Sequence, residues 1–507
     1  MVFVKKVLTA KQMKSVDEYT INSLGIKSVV LMERAALGVC EVIMDRYTEK
    51  DRIIIVCGSG NNGADGVAVA RILAQYDYDV SVYAAGNSEH FTREMHYQTD
   101  IAKKTGVTFV NEPCFNEYNL LVDALFGIGL SRNIEGRYMD IITDMNDSKR
   151  DIIAVDIPSG VNGDTGEIMG ICVNADITVT FGALKKGIIL FPGSFNCGEV
   201  ILKDAGFPKA AFENAGKCGK IIERGDVGKL IPKRTPDSNK GTYGKLLIIA
   251  GSENMSGAAC MCAKAAYRSG VGLVTVFTVE KNRIIVQTTV PEAVLKTYND
   301  EHDCTELLDE EIKKADYIVC GPGIGLGDAA KELVKGVLAS GKRALLDADA
   351  LNIVAADDAL MKMLHRNIII TPHAGEFGRL VKKGISSIKK DLCGSCISFA
   401  EMYNVICVLK DARTVICSPE GDETINIYGN SGMSTAGSGD VLAGIIGGLA
   451  CQGADDYTAA IAGVTAHGVA GDCAAQIKGQ YSLMASDIID GICVTDIIDG
   501  GKNERLG

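Results

Sequence analysis

The segment STAGSGDVLAGIIGGLA at 434–450 joins a glycine-rich turn, one acidic residue and a run of small and apolar residues of helical character. Such a turn entering a helix aims successive backbone N–H groups at one point and makes a hole for an anion. A carboxylate at the helix start, here Asp440, is placed to take the proton from a hydroxyl held beside it. That is chemistry for handling phosphate. The blander reading makes Asp440 the N-cap of a closely packed helix. Two further loops support a site. GPGIG at 321–325 follows a predicted strand, and TPHAGEF at 371–377 sets His373 and Glu376 beyond another strand end. A lone histidine in such a turn is ordinarily structural. In KDARTVICSPEG at 410–421, Lys410 ends a strand and Arg413 and Thr414 begin the next, which suits a diphosphate at the mouth of a hairpin.

A second constellation lies nearer the N-terminus, where GSGNNGADG at 58–66 follows a predicted strand and precedes a predicted helix starting near 65. Glycines there let the backbone approach a ligand, and the helix start attracts an anion; the alternative is a tight turn. Asn61 and Asn62 depart from the usual dinucleotide fingerprint and are able to bind a cation or a ligand amide. Asp123 ends one strand before ALFGIGLSRN, and Asp156 ends another within VDIPSG, so three loops converge at one sheet edge. Taken singly, each aspartate reads as a helix cap or turn residue. Lys185 and Lys186, in FGALKKG, either add positive charge there or form a solvated pair.

Positioning these loops takes two series of strands. IIIVC at 53–57, VSVY at 80–83, LLVDALF at 120–126 and IIAVDI at 152–157 alternate with longer amphipathic stretches, the rhythm of a parallel sheet covered by helices. The second series is KLLIIAGS at 245–252, LVTVF at 273–277, YIVCGPG at 317–323, RALLDAD at 343–349, NIIITPH at 367–373 and VICVLK at 405–410, with an alanine-rich helix from about 257. Between them, 206–244 accumulates glycine, proline and lysine and loses periodicity. The boundary is expected near 220, giving two different α/β domains, 1–220 and 225–507, that are not copies of each other.

With LMERA at 31–35, DALFGIGL at 123–130, VDIPSG at 155–160 and TFGALKKG at 180–187, the first series resembles the NAD(P)H-hydrate epimerases across nearly the whole first domain. The resemblance implies a Rossmann-like domain in which Asn61, Asn62, Gly63, Ala64 and Asp65 hold the hydrated dinucleotide. It implies the same of the loop Gly127, Ile128, Gly129, Leu130, Ser131, Arg132 and Asn133. Potassium would be bound with help from Asn62, Asp123 and Ser159, and Asp156 would contact the substrate and act in catalysis. GSENMSGAA at 251–259, RSGVGLVTV at 268–276, GPGIG, LDADALN at 346–352, TPHAGEF, LKDARTVI at 409–416 and NSGMSTAGSGDVLAG at 430–444 resemble the ADP- or ATP-dependent NAD(P)H-hydrate dehydratases of the ribokinase-like superfamily. That implies two three-layer α/β domains in all. Ala258, one of Gly323 and Gly325, His373 and Asp440 would contact the hydrate. Lys410, Asp411, Ala412, Arg413 and Thr414, with Gly437, Ser438 and Gly439, would hold the nucleotide, and Asp440 would be the base. ADP or ATP, K+ and Mg2+ are the implied cofactors, and a homo-oligomer the implied assembly. Two rival readings make the second domain an ordinary kinase for a vitamin or sugar alcohol, or the first a non-catalytic binding module.

Composition limits the alternatives. A net charge of -12 disfavours non-specific binding to nucleic acid or anionic membrane, so the expected partners are small molecules. The 17 cysteines, many within apolar runs, read as reduced buried thiols, and Cys393 and Cys396 as structural ones, because no second pair or histidine cluster accompanies them. With no apolar leader and no stretch long enough to span a membrane, a cytoplasmic location is expected.

Overall fold

The structure is a computed structural model that describes residues 4–299 and 301–492. The chain divides into two compact units, one of Lys6–Cys218 and one of Gly219–Gly507 with Met1–Lys5.

In Lys6–Cys218 seven strands form one sheet in the order Thr108–Val110, Asp79–Ala84, Arg52–Cys57, Leu120–Ala124, Asp151–Val155, Ile177–Phe181, Glu199–Lys203. Every neighbouring pair is parallel. The central strands are apolar at consecutive positions because both faces are covered. Ile53 and Ile55 pack with residues of the helices Ser28–Met44, Asn61–Gln75 and Arg93–Lys104, while Ile54 and Val56 pack with Ile141, Ile142 and Met145 of the helix Arg137–Asp147. Three layers result. The helix expected near 65 begins at Asn61, capped by the backbone of Gly60, so the second half of the glycine loop is already helical.

The second unit carries the strands Val294–Tyr298, Leu273–Val279, Lys245–Ile249, Tyr317–Cys320, Ala344–Leu346, Ile368–Ile370 and Ile406–Leu409 in that order, all parallel. An antiparallel meander follows through Val415–Cys417 and Glu423–Ile425, against which Gly219–Ile222 adds in parallel. The helices Ser256–Arg268, Ser438–Cys451 and Asp456–Lys478 share a core with alternate strand residues such as Leu246, Ile248 and Val319. A Cβ on Gly444 would lie 2.2 Å from the carbonyl of Cys262, so the small residues after Asp440 let two helices meet at backbone distance. The region 206–244, which lacks periodicity, nevertheless holds the helix Lys209–Asn214 and the strand Gly219–Ile222.

Candidate active sites

Two candidate sites lie at carboxyl ends of parallel strands, one in each unit, where loops and helix starts converge. In Lys6–Cys218 the chain leaves Arg52–Cys57 and turns sharply: a Cβ on Gly58 would sit 2.0 Å from Leu125 O and one on Gly63 2.1 Å from Gly58 O, so only glycine fits at either place. Asp156, the residue after its strand, adopts a left-handed backbone with φ 70°, unusual for a non-glycine residue. Its Oδ1 accepts hydrogen bonds from Lys185 Nζ and, at 3.1 Å, from Thr180 Oγ1. Lys185 is buried and also donates to Phe181 O at 3.0 Å. The solvated lysine pair is thereby corrected: both lysines are buried, Lys185 because it neutralises Asp156.

A cleft of about 560 Å³ is lined by Asn61, Asn62 and Asp65, by Gly127, Ile128, Gly129, Leu130, Ser131 and Arg132, and by Asp156 and Asp17. Gly63 and Ala64 are buried, Ala64 within the apolar core, and Asn133 lies outside the cleft lining. Behind the cleft, fully buried Asp123 accepts from Ser159 N at 2.7 Å, Ser159 Oγ at 2.6 Å and Leu125 N at 3.2 Å. Burial pushes the Asp123 carboxyl up to about 6 against the pull of those bonds. Burial likewise raises Asp17 to about 6 and Asp65 well above the carboxylate range, the nearby Asp156 adding in both cases and Lys185 opposing.

In the second unit, Asp347, Thr371 and Lys410 each follow one of three adjacent strands. Asp347 Oδ1 accepts from Lys410 Nζ at 2.8 Å and Thr371 Oγ1 at 2.7 Å. Over this group stands the start of Ser438–Cys451, where a Cβ on Gly439 would lie 3.4 Å from Lys410 Nζ. The N-cap is Gly437, with φ 90° and no side-chain cap, so Asp440 is not the cap but lies in the first turn. Burial, with Asp347 adding, Lys410 opposing and Asp349 adding, pushes Asp440 up to about 7. Buried His467 lies with Nε2 3.3 Å from Ser438 Oγ, its pKa lowered to about 4 by burial and by Lys410.

Gly323 and Gly325 both have positive φ; a Cβ on Gly323 would lie 3.1 Å from that of Ala258, whereas Gly325 donates its N–H to Asp349 Oδ2 at 2.9 Å. His373 caps the helix Ala374–Val381, its Nδ1 accepting from Gly375 N at 2.9 Å, with Glu376 bonding back to its own N–H at 2.9 Å. The turn 410–414 closes the hairpin as expected, with Arg413 donating to Ile427 O at 2.6 Å and Asp411 paired to Lys389 at 2.9 Å. Ala412 and Thr414 complete that turn. Cys393 and Cys396 are buried on one helix, and no group of three His, Cys, Asp or Glu side chains able to hold a metal occurs among the described residues.

Comparison with known proteins reaches both units. The family described as NAD(P)H-hydrate dehydratase matches residues 246–493, and the one described as YjeF-related protein N-terminus matches 28–187. A bifunctional NAD(P)H-hydrate repair enzyme of Moorella thermoacetica is 34% identical over 506 residues, covering 96% of this chain and 95% of its own. The protein of the same name from Thermofilum pendens is 34% identical over 501 residues, with the same coverage. The chain belongs to the bifunctional NAD(P)H-hydrate repair enzymes. Among solved structures, a ribokinase-like superfamily protein of Enterococcus faecalis is similar with TM-score 0.50 at 28% identity, covering 55% of this chain and 96% of its own.

Three residues of the repair enzyme's clefts escaped the sequence reading: Asp17, Asp347 and Asp349. LDADALN marks the last two only as a motif, and their partners Lys410 and Gly325 are remote in sequence. Asp17 carried one faint signal, an acidic residue directly after Val16 on a helix that buries Met13 and Val16.

Proposed function

We propose that residues 1–220 interconvert the R and S epimers of hydrated NADH and NADPH, and that residues 225–507 return the S form to NADH or NADPH at the expense of ADP or ATP. The observation that carries the second half is Asp440: a carboxylate with no hydrogen-bond or ion-pair partner among the described residues, raised toward neutrality, in the first turn of a helix with no side-chain cap, beside the Lys410–Asp347 pair. Asp440 takes the proton of the hydrate hydroxyl, and the oxygen attacks the β-phosphate of ADP, displacing AMP, or the γ-phosphate of ATP, displacing ADP. The Gly439 N–H in the first turn and the Lys410 ammonium meet the phosphate charge. Phosphate then leaves with the oxygen, a proton is lost from the adjacent carbon, and the double bond forms.

Magnesium fits as a companion of the nucleotide: without a protein cage of three ligands among the described residues, it would be held chiefly by phosphate oxygens, whose charge it would offset. A potassium ion fits behind the first cleft, held by Asn62, Asp123 and Ser159. There the Asn62 amide nitrogen is buried without a partner, and the Asp123 carboxyl is buried with no cation against it. Turning the Asn62 amide over would present its oxygen at that place. Bound there, the ion would neutralise Asp123 and brace the loops around it.

The reading extends to a cytoplasmic homo-oligomer acting on small molecules. Supporting it are the many cysteines buried in apolar surroundings, the absence of any helix long and apolar enough to cross a membrane among the described residues, and exposed apolar side chains such as Phe195 and Ile284. The test mixes purified protein with racemic NADH hydrate, with and without ADP or ATP, and follows reduced-nicotinamide absorbance. Full recovery that requires nucleotide is expected; recovery without nucleotide, or none with either, refutes the dehydratase half.

A further inference from the structure

The cleft of the first unit runs into a second of about 420 Å³, whose walls include Met13, Leu31, Met32, Phe181 and Phe207. Asp17, Asn61, Asp65, Ile128 and Asp156 line both, so three carboxylates stand where the two chambers share a wall. Asp156 has Lys185 against it. Among the described residues neither the Asp17 nor the Asp65 carboxylate makes a hydrogen bond or ion pair. The helix Ala10–Glu18 buries Met13 and Val16 and leaves Asp17 half-exposed at the junction.

We propose that Asp17 is a catalytic residue of the epimerase site, the group that gives a proton to the leaving hydroxyl and takes one back from the entering water. This rests on the epimerase reading above. Water adds to an enamine with its oxygen on the carbon bonded to nitrogen, because the nitrogen lone pair stabilises a cation there. Epimerisation reverses only the carbon–oxygen step of that addition, leaves the adjacent C–H bonds intact, and repeats the step on the other face. The carbon–oxygen bond breaks as Asp17 protonates the hydroxyl, water departs, and the ring nitrogen lone pair forms a C=N bond. Water then attacks the opposite face, the C=N pair returns to nitrogen, and the proton lost by the water goes back to Asp17. Atoms and charge balance, and no oxidant is needed. The transient cation sits among three acidic side chains, the electrostatic environment that favours it. Burial and Asp156 raise Asp17 to about 6, with Lys185 opposing and Glu18 adding, which suits a group that must both give and take a proton near neutrality. Other ionisable groups facing the junction are Asp65, Lys14 and Glu94.

The experiment uses the full chain in potassium buffer, with epimerisation rates corrected for the spontaneous reaction, across pH and in oxygen-18 water. Wild type is expected to incorporate one solvent oxygen per inversion, with kcat/KM falling above pH about 6. Asp17→Asn should be slower by on the order of 10²–10⁴ in kcat with little change in KM, and should lose that pH limb, whereas Asp17→Glu should keep it. Asp17→Asn epimerising at the wild-type rate with the wild-type limb would overturn the assignment, as would retention of the original oxygen during inversion. Should Asp17→Asn fail to fold, the isotope result and the pH limb of wild type and Asp17→Glu decide. Wild type that does not epimerise at all refutes the epimerase reading itself, an outcome separate from the others.

Discussion

The two sites share a plan and differ in what stands above it. Each places an aspartate just past a parallel strand and sets a lysine against it: Asp156 with buried Lys185 in one unit, Asp347 with half-buried Lys410 in the other. Each also holds acids raised by burial with no cation in contact, Asp17 and Asp65 in the first and Asp440 in the second. In the second, the raised acid lies in the first turn of a helix that no side chain caps. In the first, the raised acids stand at the junction of two clefts, and the nearby helix start is taken up with Asn61 and Asn62. Moving a phosphoryl group takes an anion hole and a base; inverting a hydroxyl-bearing carbon takes proton exchange and negative surroundings.

The strongest break of that comparison is Asp440→Asn. Dehydration should fall by on the order of 10²–10⁴, while nucleotide binding persists, because the cap is Gly437 and the amide keeps the size of the carboxylate. Turnover near wild type alongside a lowered melting temperature would return Asp440 to a structural role. Lys185→Met tests the other unit. It leaves Asp156 half-buried without its cation, and breaking such a pair costs roughly 3–5 kcal/mol when buried. Loss of epimerisation and a lower melting transition are expected, with nucleotide-dependent dehydration of S hydrate retained. An unchanged transition would mean that the pair is not what holds Asp156 in place.

Strand order along both series, and the glycine loops that follow the strands, were legible because continuous apolar runs of strand length between glycines leave little other architecture. Local polar chemistry was less so. Gly437 rather than Asp440 caps its helix because a left-handed glycine ends the loop one turn earlier, and Asn61 opens a helix despite poor propensity because Gly58 and Gly63 force the turn. Asp17 reaches its cleft, and Asp347 its partner Lys410, only through segments brought in from elsewhere in the chain, which no local pattern encodes. Lys185 was visible as a charge but not as a buried one, since only the fold sets Asp156 against it.

A smaller effect tests the boundary between the units. Ile221 and Ile222 of the strand Gly219–Ile222 are buried, and Lys220 pairs in register with Thr424. A fragment beginning at 225 therefore loses an edge strand that one beginning at 219 keeps. At about 1.5–3 kcal/mol for each fully buried isoleucine, the shorter fragment should be less stable by a few kcal/mol at most, since part of the strand contacts solvent. Equal denaturant midpoints for the two fragments would place the start of the second folding unit after Ile222.

The finest distinction is the direction of the pH dependence, worth about tenfold per pH unit on each limb. Asp440 serves as a base, so dehydration should rise as pH approaches about 7 and level off above it. Asp17 starts as an acid, so epimerisation should already be falling there. Stability follows its own sign. A carboxyl whose folded pKa is raised binds its proton more tightly in the folded state, so its contribution is complete below the ordinary carboxylate pKa and is lost as pH rises through about 7. Asp440→Asn should remove both behaviours at once, flattening the acid limb of any residual dehydration and the corresponding fall in melting temperature. If the stability change vanishes in Asp440→Asn while the acid limb persists, Asp440 is buried as described but another group takes the hydroxyl proton; if both survive, the raised acid of this site lies elsewhere, and Asp349, next to Gly325, is the first to replace.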